Sequence, residues 1–193
     1  MPRGPRILAS FLHDTLGVID GMDAGLGEQV RAALKPELLA EIQEAWAASW
    51  LPIGHDVAVT EAFFRLAGEQ RACEAMRQNL VATFEKPILR PIIEGALRVL
   101  GADTARLLGW SPRAFGLLFR DVGEMSVEIG AGADTATIRL TGLPPEVADS
   151  RAYLLGMAAA LSAVFTLTGA DGRANLAAAA DGEARFELSW QHA

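Results

Sequence analysis

The chain has 193 residues, 51% hydrophobic and 21% charged, and carries a formal net charge of -7 at pH 7. This is enough apolar surface for a packed core and too much for a disordered chain, and the length fits a single domain over residues 1–193. The acidic balance disfavours non-specific binding to nucleic-acid phosphates. The one cysteine, Cys73, rules out an intramolecular disulfide and a zinc site built on several thiolates, and fits a cytoplasmic location.

The first residues hold Arg3, Arg6 and a short apolar run that Asp14 interrupts, so no leader is expected there. From that point the chain reads helical as far as about residue 122. Ile7, Phe11 and Val18 fall near one face of a first helix, and a short second one covers "GEQVRAAL". A third runs along "KPELLAEIQEAWAASW", with Pro36 in its first turn and Leu38, Leu39, Ile42 and Trp46 as its apolar stripe. Pro52 opens the next helix, to about Ala67. A long helix from Arg71 should kink or break at Pro87 and Pro91 and stop at Gly101. "DTARLLGW" starts another helical piece with Asp103 or Thr104 as its cap, and "SPRAFGLLFRDV" adds a separate turn or two.

At Gly123 the period changes from helix to strand. Met125, Val127 and Ile129 alternate with polar residues, as do Ile138 and Leu140, and "AGAD" joins the two runs as a hairpin loop. From Ala152 to Ala170 no residue is charged. That length would cross a bilayer, but close strands on both sides and many small residues favour a helix of about 150 to 168 buried against a sheet. A second hairpin turns at Asp181-Gly182, with Phe186, Leu188 and Trp190 on one face. The fold class is therefore α+β: an N-terminal helical layer over about 1–122, packed on a C-terminal four-stranded antiparallel sheet over about 123–193. The order of that second part is strand, strand, helix, strand, strand, with one apolar helix.

No catalytic constellation is visible. His13 and His55 are each followed by an aspartate, but neighbours on a helix point about 100° apart, so neither pair is a dyad by itself. There is no HExxH and no GxSxG motif, and the acids show no metal-ligand spacing. "GAGAD" lacks the lysine and the following helix of a phosphate loop. Cys73 reads as packing. In "SWLPIGHD", Trp50 and Leu51 read as the buried entry to a helix, Pro52 as its first turn, and Asp56 as an acid that suits the helix dipole. The aromatics Phe63, Phe64, Phe84, Trp110, Phe115 and Phe119 all fall in expected helices. Core is their default role, and helices laid over a sheet also leave an apolar pocket walled by some of them.

The order of "SWLP", then "LLFRDVGEMSVEIGAGADTATIRLTGLP", "YLLGMAAALSAVFTLTGA" and "ARFELSW" resembles a family of uncharacterised bacterial proteins abundant in myxobacteria. That family is in turn remotely similar to vinyl-reductase-like and haem-NO-binding-like ligand domains and to TRAPP trafficking subunits. The resemblance implies helices followed by an antiparallel sheet with a crossing helix, and a homodimer. In the haem-binding relatives a histidine ligates iron and a tyrosine–serine–arginine signature contacts the haem. Neither His13 nor His55 matches that ligand residue by residue, and the signature is absent from this sequence.

The sequence thus points to a non-catalytic sensor or adaptor domain. It would bind a small apolar ligand between helices and sheet at Trp50, His55, Phe64, Trp110, Phe115 and Phe119, with no catalytic residue, no metal and no membrane span. No cofactor is expected in this reading. Haem is the cofactor of an alternative, a haem-based sensor, and a ligand-free protein-interaction module is the other alternative.

Overall fold

In the computed structural model, residues 4–84, 95 and 103–191 are described. The expected break at Pro87 and Pro91, the stop at Gly101, and His192 lie outside them, as does the side chain of Phe84.

The chain enters through a short strand, β1 (Arg6–Leu8), that leads straight into α1 (Ala9–Met22). Two short helices follow, α2 (Ala24–Ala32) and α3 (Pro36–Glu44). The Asp23 side chain caps the first by accepting from the Gly25 amide, and Pro36 opens the second. The third helix is shorter than its periodicity suggests. It stops at Glu44, and Trp46 is 82% exposed instead of extending the apolar stripe.

"SWLP" is also not the helix start it resembles. Trp50–Pro52 forms a strand, β2, antiparallel to β1, and the helix α4 (Ile53–Ala67) begins one residue later, with Pro52 as its N-cap. A third short strand, β3 (Phe119–Arg120), pairs on the other side of β1, giving the order β2-β1-β3. Strands of two or three residues are too short to show an alternating pattern, so this sheet leaves no periodic signal. Pro52 is tolerated because β2 is an edge strand.

Helix α5 (Glu69–Phe84) packs against α1 and α4. After the undescribed stretch, Asp103 caps α6 (Thr104–Leu118) by accepting from the Arg106 amide. The expected division at Ser111–Pro112 does not occur, and Pro112 sits inside one continuous helix. An interior proline costs roughly 3 kcal/mol. Here Leu107, Leu108, Phe115 and Leu118 are buried on both sides of it, and holding them on one axis outweighs one lost hydrogen bond.

The second sheet is fully antiparallel, built from β4 (Glu124–Ile129), β5 (Thr135–Thr141), β6 (Asp171–Ala180) and β7 (Glu183–Gln191) in the order β4-β5-β7-β6. Between its hairpins lie α7 (Pro145–Ala148), α8 (Arg151–Leu161) and α9 (Ala163–Thr168). The charge-free stretch is therefore two helices meeting at Ser162. By length and hydropathy it would reach across a membrane, but α8 packs on α4, α5 and β6. Ala136, Ile138, Leu140, Ala184, Phe186, Leu188 and Trp190 are buried on one sheet face, while Arg139, Arg185 and Glu187 are exposed on the other. The protein is α+β, helices laid on one face of a four-stranded antiparallel sheet.

The two parts join at Gly123, with φ 103°, where an added Cβ would stand 2.5 Å from the Thr141 carbonyl oxygen. Gly123→Ala is expected to lower unfolding stability by about 2 kcal/mol, through left-handed strain plus that clash, readable as a lower urea midpoint at unchanged m-value.

Candidate ligand-binding site

Where α6, α8 and α9 cross the sheet they leave a cavity of about 140 Å³. Its wall follows from helical spacing. On α6, Leu107, Trp110, Ala114, Phe115 and Leu118 recur at three and four residues and so share one face. On α8 and α9, Tyr153, Gly156, Met157, Ala160 and Val164 do the same. Met125, Leu140 and Phe186 rise from the sheet as the floor, Met76 and Leu80 come from α5, and Phe11 and Phe119 close the end nearest the small sheet. Phe115 and Phe119 stack with centroids 4.5 Å apart.

The polar groups are few. Asp56 and Thr60 of α4 lie one turn apart on the wall, Ser111 is on α6, and Tyr153 is on α8. Asp56 is 2% exposed and Tyr153 4%. The Tyr153 hydroxyl donates to Asp56 Oδ2 at 2.6 Å. Burial pushes the Asp56 carboxyl up from 3.8 to about 7, against the opposing pull of the Tyr153 hydrogen bond. Burial and the neighbouring carboxyl together hold the Tyr153 phenol well above its usual value.

Of the six aromatic and histidine positions singled out from the sequence, the structure brings Trp110, Phe115 and Phe119 to this cavity. The other three are elsewhere. Trp50 lies on β2 under the Arg120 guanidinium, 3.9 Å from its ring centroid. Phe64 is buried behind the wall, edge-on to Phe63. His55 turns away from the cavity and meets Glu41 Oε2 at 2.7 Å. A histidine one residue before a cavity-facing aspartate necessarily points to a different side of the helix. His13 is likewise engaged with the Ile42 carbonyl at 2.7 Å. Because Glu41 is 59% exposed, His55→Ala is expected to change stability by less than about 1 kcal/mol in a thermal melt.

Asp56 and Tyr153 are the positions that sequence reading missed. The signal was present. Asp56 keeps phase with Ile53, Val57, Thr60 and Phe64, so it sits in a buried stripe instead of serving only the helix dipole. Tyr153 is the sole tyrosine and stands in a charge-free helix, where its hydroxyl requires an acceptor. Cys73 is partly buried on α5, its Sγ 4.0 Å from the Leu155 carbonyl, and burial raises its thiol pKa, which makes it a poor nucleophile.

No protein-family model and no curated protein matches this sequence. Solved structures do match in shape. An Fe(II) unliganded H-NOX protein mutant from K. algicida superposes with a TM-score of 0.66 at 10% identity, over 96% of this chain and 97% of that one. An oxygen-binding H-NOX domain related to soluble guanylate cyclases gives 0.61 at 11%, over 96% of each chain. A structure probing haem distortion in the H-NOX family gives 0.63 at 7%, again over 96% of each. The chain has the H-NOX fold.

Haem does not follow from the H-NOX fold alone, and the residues present do not fit it. Protein ligands to haem iron are histidine, cysteine, tyrosine, or methionine together with histidine. Among the described residues, no histidine or cysteine lines the cavity, and Tyr153 is engaged with Asp56. Met76, Met125 and Met157 line it without a histidine to pair with. The stretch 85–102 contains no histidine, cysteine, methionine or tyrosine. No arginine or lysine lines the cavity among the described residues to receive carboxylates of a porphyrin.

Proposed function

We propose that this protein is a non-catalytic sensor domain on the H-NOX fold that binds a small, largely apolar molecule directly in the cavity between α6, α8 and the sheet. The observation that carries this reading is the cavity itself: about 140 Å³, walled by aromatic, aliphatic and methionine side chains, with one buried hydrogen-bonded pair. An engineered apolar cavity of roughly 150 Å³ stays dry and accepts benzene, so the space suits a molecule the size of one ring. A deep apolar site with a few convergent polar groups is the usual form of a small-molecule pocket. Among the described residues, no histidine or cysteine lines the cavity beside Asp56 and Tyr153 to act as base or nucleophile, which supports recognition over catalysis.

A haem-based sensor is the second reading. The likeness to H-NOX structures over nearly the whole chain favours it, and one of those structures concerns haem distortion. The cavity's donor set speaks against it.

The experiment is a pair of titrations on the freshly purified protein, with haemin followed by absorption and toluene followed by thermal melting. Native mass spectrometry of the same sample gives the oligomer. Direct binding predicts no Soret band on purification, no saturable one-to-one haemin complex, and a saturable rise of Tm with toluene. Ala160→Phe, which fills the cavity from α8, abolishes that rise. A Soret band in the purified protein, or stoichiometric haemin uptake, overturns the reading in favour of haem. No response to either, with an integer oligomer mass, transfers the assignment to a protein-interaction module.

A further inference from the structure

We infer that the cavity selects a small aryl or branched-alkyl amine, bound as its ammonium ion, with Asp56 as the counter-charge. This rests on the cavity being a ligand site. Asp56 is the only carboxylic acid among the described residues that line it, and it is buried. Its Oδ2 is occupied by Tyr153, which uses its single proton there. No second hydrogen bond to the Asp56 carboxyl is formed among the described residues, and Asp56 lines the cavity.

The pair has a simpler role, to tie α4 to α8. That tether explains one oxygen only. An asparagine would accept the Tyr153 proton equally well without the cost of burying an acid, which is several kcal/mol for an unpaired charge. What a carboxylate adds to the tether is charge, and among the described residues that charge has no cationic partner. The charged groups on the elements packed around α4 are turned elsewhere. His55 meets Glu41, and Glu61 accepts from Ser150 Oγ. Arg31 of α2 pairs with Asp20, and Arg77 of α5 with Glu74. Glu69 and Arg71 of α5, Glu146 of α7 and Arg151 of α8 are exposed, and Arg6 of β1 does not line the cavity.

An ammonium ion supplies the missing charge and up to three N–H donors, for Asp56 Oδ1 and the nearby Thr60 hydroxyl. The apolar walls take the hydrocarbon part.

The test uses three probes with one ring and different heads: benzylamine, benzyl alcohol and toluene. Each is titrated into the full chain at pH 6 and pH 8, by calorimetry, with Asp56→Asn in parallel. Benzylamine is expected to bind more tightly at pH 8, where Asp56 is ionised, and to lose about tenfold or more in affinity in D56N. Toluene is expected to stay within about twofold in both, which also shows that D56N keeps the cavity. If D56N does not fold, Tyr153→Phe serves. It removes the donor that favours ionised Asp56, so the pH at which benzylamine binding strengthens must move up.

Toluene and benzyl alcohol binding as well as benzylamine, or a D56N protein with undiminished benzylamine affinity, overturns the amine assignment and leaves the cavity reading intact. Benzyl alcohol preferred at pH 6 overturns it in favour of a neutral Asp56 that donates to the ligand. Failure of all three probes, toluene included, overturns the cavity reading and the amine assignment together.

Discussion

Asp56→Asn makes the free protein more stable at pH 8 and leaves it almost unchanged at pH 4. The folded-state pKa of Asp56 is raised from 3.8 to about 7, because ionising the carboxyl inside the helical layer means giving up water for one tyrosine hydroxyl. Below pH 3.8 the group is neutral in both folded and unfolded chains and contributes no difference. Between 3.8 and about 7 the unfolded chain releases this proton first, so stability falls as pH rises through that window and levels off above it. A shift of this size corresponds to on the order of 4 kcal/mol at the plateau. Asparagine carries no charge to bury and still accepts from Tyr153. Chemical denaturation at pH 4, 6 and 8 checks the prediction. The gap between variant and parent must open over that window, and a constant gap would mean that Asp56 reaches solvent in the folded protein. A bound cation would close the gap, which joins this measurement to the amine titration.

Phe186→Ala is expected to cause a large loss of stability. Phe186 is fully buried on β7, an interior strand, opposite Ile138 on β5 and Leu176 on β6, and its ring forms part of the cavity floor. Truncating a buried phenylalanine costs about 3–5 kcal/mol, from lost burial and from the space left behind. The new space joins the existing cavity, so the upper part of that range applies because the neighbours are already unable to collapse into it. The urea midpoint should drop accordingly. The variant should also accept a larger hydrocarbon than toluene, and that ligand should restore part of the lost Tm. A loss below about 1 kcal/mol would mean the sheet face and the helices are loosely packed at this point, and that the cavity is not a defined space.

The elements legible in the sequence are those long enough to repeat. Met125, Val127 and Ile129 declare β4 by alternation. Asp181-Gly182 declares the last hairpin, and Phe186, Leu188 and Trp190 declare the buried face of β7. The three-stranded sheet was not legible because Arg6–Leu8, Trp50–Pro52 and Phe119–Arg120 are shorter than any period, and only their pairing across the chain makes them strands. Trp46 shows the converse case. Its spacing fits the stripe of α3, but the helix ends before it.

The site divides along the same line. Trp110, Phe115 and Phe119 could be named as pocket aromatics because clustered aromatics over a sheet are common to many arrangements, although only the structure joins the two helical pieces that carry them into one helix. Trp50, His55 and Phe64 could not be sorted from them, because which flank of α4 faces the cavity depends on how α4 seats on α5 and α8, and Trp50 lies on a strand that only its pairing with β1 defines. By itself, the sequence determined an α+β chain with a helical layer, a four-stranded antiparallel sheet and an apolar crossing segment, since local periodicity and turn chemistry act over a few residues. Only the tertiary structure decided that His55 leaves for Glu41 while Asp56 turns inward to Tyr153, 97 residues away in sequence. Periodicity puts Asp56 in phase with the apolar stripe of α4, but which partners meet that stripe is set by packing between surfaces distant in the chain, and no local pattern names them.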